Sequence, residues 1–274
     1  MTAIWIVADD YGISPSVNAA IRDLLAAGRI SGTSVMVVAP AFTASETRAL
    51  AAIAHDGKRP AIGLHVTLTA PFKPLTTDFR PLRAGSFRSL GQTALAALLR
   101  RIDRTAAERE IRAQLAAFVA AFGRPPDFVD GHQHVHLLPG IAEALIGAVR
   151  DAAPDAWVRQ CGRAPEAASR ETKPMLLDAF SRRFRRRAAA QGVRTNPVFS
   201  GAYAFHAGAR FAELFPMFLS GMRDGGVIMC HPGKVDATLR ALDPLTTLRE
   251  KEYEYFGSDA YPALLQRRGI TLLP

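Results

Sequence analysis

The sequence feature that most restricts what this chain can fold into is a set of short apolar runs that stop on an Asp or a His. Ile4 to Val7 runs into Asp9-Asp10-Tyr11-Gly12, Phe128-Val129 into Asp130-Gly131-His132-Gln133-His134-Val135-His136, and Val227 to Cys230 into His231-Pro232-Gly233. Ala61 to Leu68 carries His65 among neighbours that are almost all apolar. Runs that are apolar throughout, rather than alternating with polar residues, describe strands covered on both faces, which is the condition of a parallel sheet flanked by helices. Ser14-Pro15 after the first run reads as an N-cap with proline at the first helical position, opening a helix to about Ala27. The chain is 274 residues long, close to the roughly 250 of one βα barrel. We therefore expect an α/β fold: an irregular, TIM-like βα barrel forming a single catalytic domain over 1–274, with parallel strands and the site at their C-terminal ends.

The remaining pattern fits that frame. Thr33 to Ala39 reads as a second strand and Thr43 to Ala54 as a helix. The stretch 71–89 is irregular and long for a structureless connection, so we expect a lid or binding loop. Thr105-Ala106-Ala107-Glu108 has the form of a capping box before a helix through about Phe122, which Gly123 ends. Pro139-Gly140 opens a helix to about Ala153, and Trp157-Val158-Arg159 is a short strand with a polar end. Residues 170–191 read as a basic helix, 199–206 as irregular, and 211–222 as a helix kinked at Pro216. Ser258 is expected to cap a closing helix to about Arg268, with a last strand from Ile270 to Leu273.

Composition narrows the class. The 34 basic and 25 acidic residues leave a net charge of +9, which raises nucleic acid or an anionic surface as a partner. Much of the excess is local to Arg182-Arg183-Phe184-Arg185-Arg186-Arg187, and such a run on a helix is more often a solvated face than a binding site. No zinc-finger or aromatic RNA-binding spacing accompanies it, so no nucleic-acid partner is expected. The N-terminal run has no basic flank and meets Asp9-Asp10 early, unlike a signal peptide. No apolar stretch approaches the roughly 18 residues of a membrane span. Cys161 and Cys230 could form at most one disulfide. A reduced, cytoplasmic protein without a membrane span is the expectation, and a homodimer is left open.

Three of the seven histidines fall within five residues at 132–136. Imidazole is the commonest protein ligand for a transition metal and the usual acid or base near neutral pH. Histidines on one face of a turn could instead bond only locally. The convergence of Asp9, Asp10, His65, His132 and His231 at or near strand ends favours a site, because loops at the carboxyl ends of parallel strands share one mouth. Two histidines and a carboxylate are an ordinary set of ligands for a catalytic metal. Neighbouring carboxylates at 9 and 10 can divide ligation and proton transfer between them.

Taken together, Ala8-Asp9-Asp10-Tyr11-Gly12, Gly63-Leu64-His65, the 130–136 cluster and Cys230-His231-Pro232-Gly233 resemble, in order and separation, the YdjC-like carbohydrate deacetylases that act on chitooligosaccharides. The resemblance covers nearly the whole chain. It implies an irregular βα barrel and one divalent metal, Mg2+ in the family with Zn2+, Mn2+ or Co2+ as alternatives. It also implies hydrolysis of an N-acetyl group on a small carbohydrate. By position, Asp10, His65 and His132 match the family's metal ligands. Likeness to metal-dependent polysaccharide deacetylases makes Asp9 the general base, with His231 as candidate acid. Arg159, His134, His136 and Asp130 remain as substrate-binding or supporting residues: Arg159 steadying Asp9 or meeting substrate, His134 and His136 fixing the His132 tautomer or meeting substrate, Asp130 capping a turn. The rival readings are hydrolysis of another bond, such as a phosphoester, or a basic protein that binds nucleic acid or an anionic surface.

Overall fold

A computed structural model describes residues 1–80, 82–164, 172–206 and 208–273. Strands and helices alternate: β1 (Thr2–Tyr11), α1 (Pro15–Ala26), β2 (Gly32–Val35), α2 (Ala44–Ala51), β3 (Ala61–Val66), α3 (Leu90–Leu98), α4 (Arg104–Phe122) and β4 (Phe128–Gly131). A 3-10 turn over His132–Leu137 follows, then α5 (Ile141–Ala152), β5 (Trp157–Val158), α6 (Thr172–Ala190), β6 (Phe199–Ser200) and α7 (Phe211–Phe218). The chain closes through β7 (Val227–Cys230), α8 (Ala237–Leu242), α9 (Thr247–Gly257), α10 (Ala260–Arg267) and β8 (Ile270–Leu272).

The sheet runs β5-β4-β3-β2-β1-β7-β6, with β8 beside β1, and every strand pairing is parallel. This is the expected α/β barrel, curled around a core of strand residues such as Ile6, Leu64, Val129 and Ile228 that are buried completely. β1 is its axis: Thr2 to Ile4 pair with β8, and Trp5 to Ala8 pair with β7. The two edge strands are stitched by a side chain. Asn196 Oδ1 accepts from the Gln160 amide at 2.8 Å, and Asn196 Nδ2 donates to the carbonyls of Gln160 and Val198 at 3.1 and 3.0 Å. The Phe199 amide donates to the Gly162 carbonyl at 3.0 Å, completing the seam. A Cβ on Gly63 would lie 2.4 Å from the Phe128 ring, so glycine there is what lets Phe128 stack on Trp157 at 4.7 Å.

Several boundaries differ from expectation for identifiable reasons. The second strand stops at Val35, because the chain then turns and the Ala39 amide bonds back to the Met36 carbonyl. Asp103, not Thr105, caps α4, accepting from the Ala106 amide at 3.0 Å. The Ser258 hydroxyl donates back to the Tyr255 carbonyl at 2.7 Å, so it closes α9 instead of opening α10. Phe199–Ser200 is a strand within the stretch expected to be irregular. The loop 71–89 is held down by buried Glu110, which accepts from the Leu75 and Thr76 amides.

Arg182, Arg183, Arg185 and Arg186 face solvent around buried Phe184, and Arg187 pairs with Glu143. Cys161 and Cys230 are buried and free. No helix among the described residues is long and apolar enough to cross a membrane.

Replacing Asn196 by alanine strands the amide and the carbonyl of Gln160 in the barrel seam, while the Val198 carbonyl keeps the Val227 amide. Each buried group left unpaired costs about 1–3 kcal/mol. Urea unfolding should show a loss of at least about 2 kcal/mol, and an unchanged midpoint would mean that the seam does not hold the barrel closed.

Candidate active site

Asp9 and Asp10 reach the same site because β1 is not a regular strand. Ala8 pairs with Thr33 and Tyr11 with Val35, so β1 spends three steps where β2 spends two. The extra residue is a β-bulge, and Asp10 adopts φ +69° within it. On a regular strand, consecutive side chains would point to opposite faces. Here both carboxylates are 2 % exposed or less and both face the mouth of the barrel. Left-handed φ is uncommon outside glycine and gathers at functional sites. Gln133 and His134 share it, at +55° and +59°, where the chain leaves β4 and folds His132 back over the mouth.

The cluster grows from register. His65 on β3 and Asp130 on β4 are paired residues, and their side chains meet at 2.6 Å between Nδ1 and Oδ1. The other face of the imidazole, Nε2, lies 3.3 Å from Asp10 Oδ1. His132 Nδ1 comes to the same Asp10 oxygen at 2.9 Å. One ligand atom from each of Asp10, His65 and His132 lies within 4.8 Å of the others. A second group, Asp9, His65 and Asp130, satisfies the same distance. That group already encloses a cation: Arg159 NH1 and NH2 hold the two Asp9 oxygens at 2.6 and 2.7 Å, and NH2 also lies 2.7 Å from Asp130 Oδ2.

The electrostatics follow from burial and charge count. Burial alone would raise the Asp10 carboxyl, but Arg249 beside it, and then His132, hold it well below the usual carboxylate range. Burial likewise opposes charge on His65, yet Asp130 and Asp10 reverse this and carry its pKa up to about 10. Three buried carboxylates thus surround one imidazole at the point where a cation is favoured.

The remaining predicted residues fall into place around this centre. Among the described residues, His136 hydrogen-bonds not to His132 but to the chain beyond β5. Its Nε2 donates to the Arg159 carbonyl at 2.8 Å, and burial lowers it to about 4, so it is a neutral prop for the strand end that carries Arg159. His134 lies 3.4 Å from Cys161 Sγ and edge-on to Phe199, with burial holding it well below its ordinary value. The Cys161 and Cys230 thiols are both pushed up by burial and stay protonated. His231 is half-buried at the mouth, edge-on to Phe205 at 5.4 Å, and burial lowers it to about 4. Phe72, from the 71–89 loop, packs edge-on to His132 at 5.8 Å.

Two residues that the sequence does not disclose complete the site. Arg249 and Glu252, on α9, are both buried completely. Arg249 NH2 donates to Asp10 Oδ2 at 2.6 Å, and Glu252 accepts from the His231 amide and from the Tyr203 hydroxyl. Burial raises Glu252 to about 7. They sit in the charged string Arg249-Glu250-Lys251-Glu252, for which the sequence gives no expectation of burial. The available signal was the spacing of Leu248, Glu252 and Phe256, an inward stripe of period four with a carboxylate in its middle.

Fold and site together define a parallel α/β barrel whose mouth holds a buried carboxylate and imidazole cluster able to ligate a cation. The chain belongs to the YdjC-like protein family, whose model matches residues 3–267. A chitooligosaccharide deacetylase of Serratia marcescens is 28% identical over 242 residues, covering 85% of this chain and 82% of its own. A carbohydrate deacetylase of Mus musculus is 32% identical over 149 residues, 53% of this chain, and this chain spans 46% of that protein's length. A solved structure from Enterococcus faecalis V583 superposes with a TM-score of 0.75 at 23% identity, covering 99% of this chain and 97% of that one, and shows the same fold.

In the metal-free protein, His65 should stay an imidazolium to about pH 10. Its folded pKa lies above its unfolded one, so its contribution to stability is present in full below about 6.5 and is lost as pH rises through about 10. Imidazole NMR titration checks this, and a His65 midpoint near 6.5 would contradict the charge assignment.

Proposed function

We propose that the chain is a metal-dependent carbohydrate N-deacetylase that releases acetate from an acetylated amino sugar or short oligosaccharide of the chitooligosaccharide kind. The observation that carries this is the double engagement of His65. Its Nδ1 is committed to Asp130, which fixes the tautomer and turns Nε2 toward Asp10 and His132. A histidine that gives one N–H to a carboxylate and presents the other nitrogen to a cation site is the usual arrangement of a metal-ligating imidazole. Asp10, His65 and His132 would hold the ion. Two nitrogen donors and one oxygen suit zinc, cobalt or manganese better than magnesium.

A divalent metal held there would polarise the acetyl carbonyl and lower the pKa of water. Asp9 is the base that takes the water's proton, and Arg159 fixes both its oxygens so that the carboxylate keeps one orientation. His231, half-buried and neutral at rest, takes a proton from solvent and hands it to the departing amine. Phe205, 40% exposed beside His231, offers an apolar face to a sugar ring. The names of the bacterial relatives support an acetylated amino sugar as substrate.

The test is acetate release from N-acetylated chitooligosaccharides with added Mg2+, Mn2+, Co2+ or Zn2+, with phosphoester hydrolysis as the control. Asp9→Asn should keep metal and lose about 10² to 10⁴ in turnover, the usual contribution of a positioned base. Asp10→Asn should lose metal and activity together and recover partly in excess metal. If Asp9→Asn is the variant that excess metal rescues, the two roles are reversed.

A further inference from the structure

Arg249, like Arg159, is a charged group in the site that neither ligates nor faces solvent. It is completely buried, and NH2 holds Asp10 Oδ2 at 2.6 Å and Asp243 Oδ2 at 2.9 Å while Nε donates to the Leu245 carbonyl at 3.0 Å. Its own carbonyl accepts from the Gly233 amide at 3.0 Å, tying α9 to the loop that carries His231. A buried ion pair is weak evidence for stability, since the desolvation of both partners offsets most of their attraction. What the contact does fix is geometry. With Oδ2 occupied, Asp10 can turn only Oδ1 toward His65 Nε2 and His132 Nδ1, the arrangement observed.

We propose that Arg249 is a positioning residue that makes Asp10 a one-oxygen metal ligand and thereby sets the metal affinity of the site. This rests on the metal-dependent reading above. Two effects of Arg249 oppose each other. Its charge repels a divalent ion, whereas its hydrogen bonds hold the carboxylate in a ligating pose and keep it ionised. Loss of a partner that orients a ligand typically weakens metal binding about 10- to 100-fold, so orientation should win.

The two effects separate by substitution. Lysine keeps the charge but is a point donor that cannot span Asp10, Asp243 and the Leu245 carbonyl together. Glutamine removes the charge. Asp243→Asn weakens the far anchor of Arg249 from a partly exposed position, with little risk to folding. Co2+ titration of the full chain, read by the visible absorption of the bound ion, gives affinity without reference to turnover. Arg249→Lys should bind Co2+ about 10-fold more weakly than the parent. Asp243→Asn should bind more weakly by a smaller factor, and the Co2+ spectrum of Arg249→Lys should shift as Oδ2 becomes free to ligate. Affinity within twofold of the parent for Arg249→Lys, or for Asp243→Asn if the lysine variant does not fold, overturns the proposal. So does tighter binding by Arg249→Gln, which would show that charge repulsion dominates. If the parent chain binds no Co2+, the metal reading fails and takes this inference with it.

Discussion

Asp9, Asp10 and Asp130 lie buried within one cluster, and burying charge is the most demanding condition this fold meets. An unpaired buried carboxylate would cost several kcal/mol. Arg159 and Arg249, both completely buried, answer two of the three. The remaining negative charge falls on His65, whose imidazole is drawn into the charged form between Asp130 and Asp10. A proton satisfies that demand in the metal-free protein. A divalent ion on Asp10, His65 and His132, as proposed above, would satisfy it as well, with the His65 proton released.

The barrel delivers these groups through small departures from regularity. One extra residue in β1 turns two consecutive Asp residues to the same mouth, and a pair of left-handed residues after β4 brings His132 onto Asp10. The helix that supplies Arg249 and Glu252 arrives from near the other end of the chain, so the site is closed only when the C-terminal helices dock. Breaking either buried arginine contact leaves a carboxylate without its counter-charge, a change usually worth about 3–5 kcal/mol. Stability and the proposed function therefore rest on the same residues here, and substitutions in the cluster should be read with folding controls.

Much of this was legible in the residues. Unbroken apolar runs ending in Asp or His gave the parallel barrel and put Asp9, Asp10, His65, His132 and His231 at its mouth, because polar residues at the ends of buried strands have few other places to go. The solvated arginine run on α6 was legible for the same reason, as its one apolar member, Phe184, is its one fully buried member. The roles of His134 and His136 were not legible, since the positive φ values at Gln133 and His134 send neighbouring rings to different partners and no periodicity predicts that. Asp130 was legible as a supporting residue or a turn cap, but its pairing with His65 was not, because that is a fact of strand register. Arg249 and Glu252 were hidden because a charged helix reads as exposed until the tertiary packing is known.

On the proposed function, the buried charge pattern is built around one cation at Asp10, His65 and His132. The most direct measurement is anomalous X-ray diffraction from crystals grown with Co2+ or Zn2+. A single strong peak is expected about 2.0–2.2 Å from an Asp10 oxygen and from one nitrogen of each histidine. A peak between Asp9 and Asp130, or full metal occupancy elsewhere with this cluster empty, would contradict it.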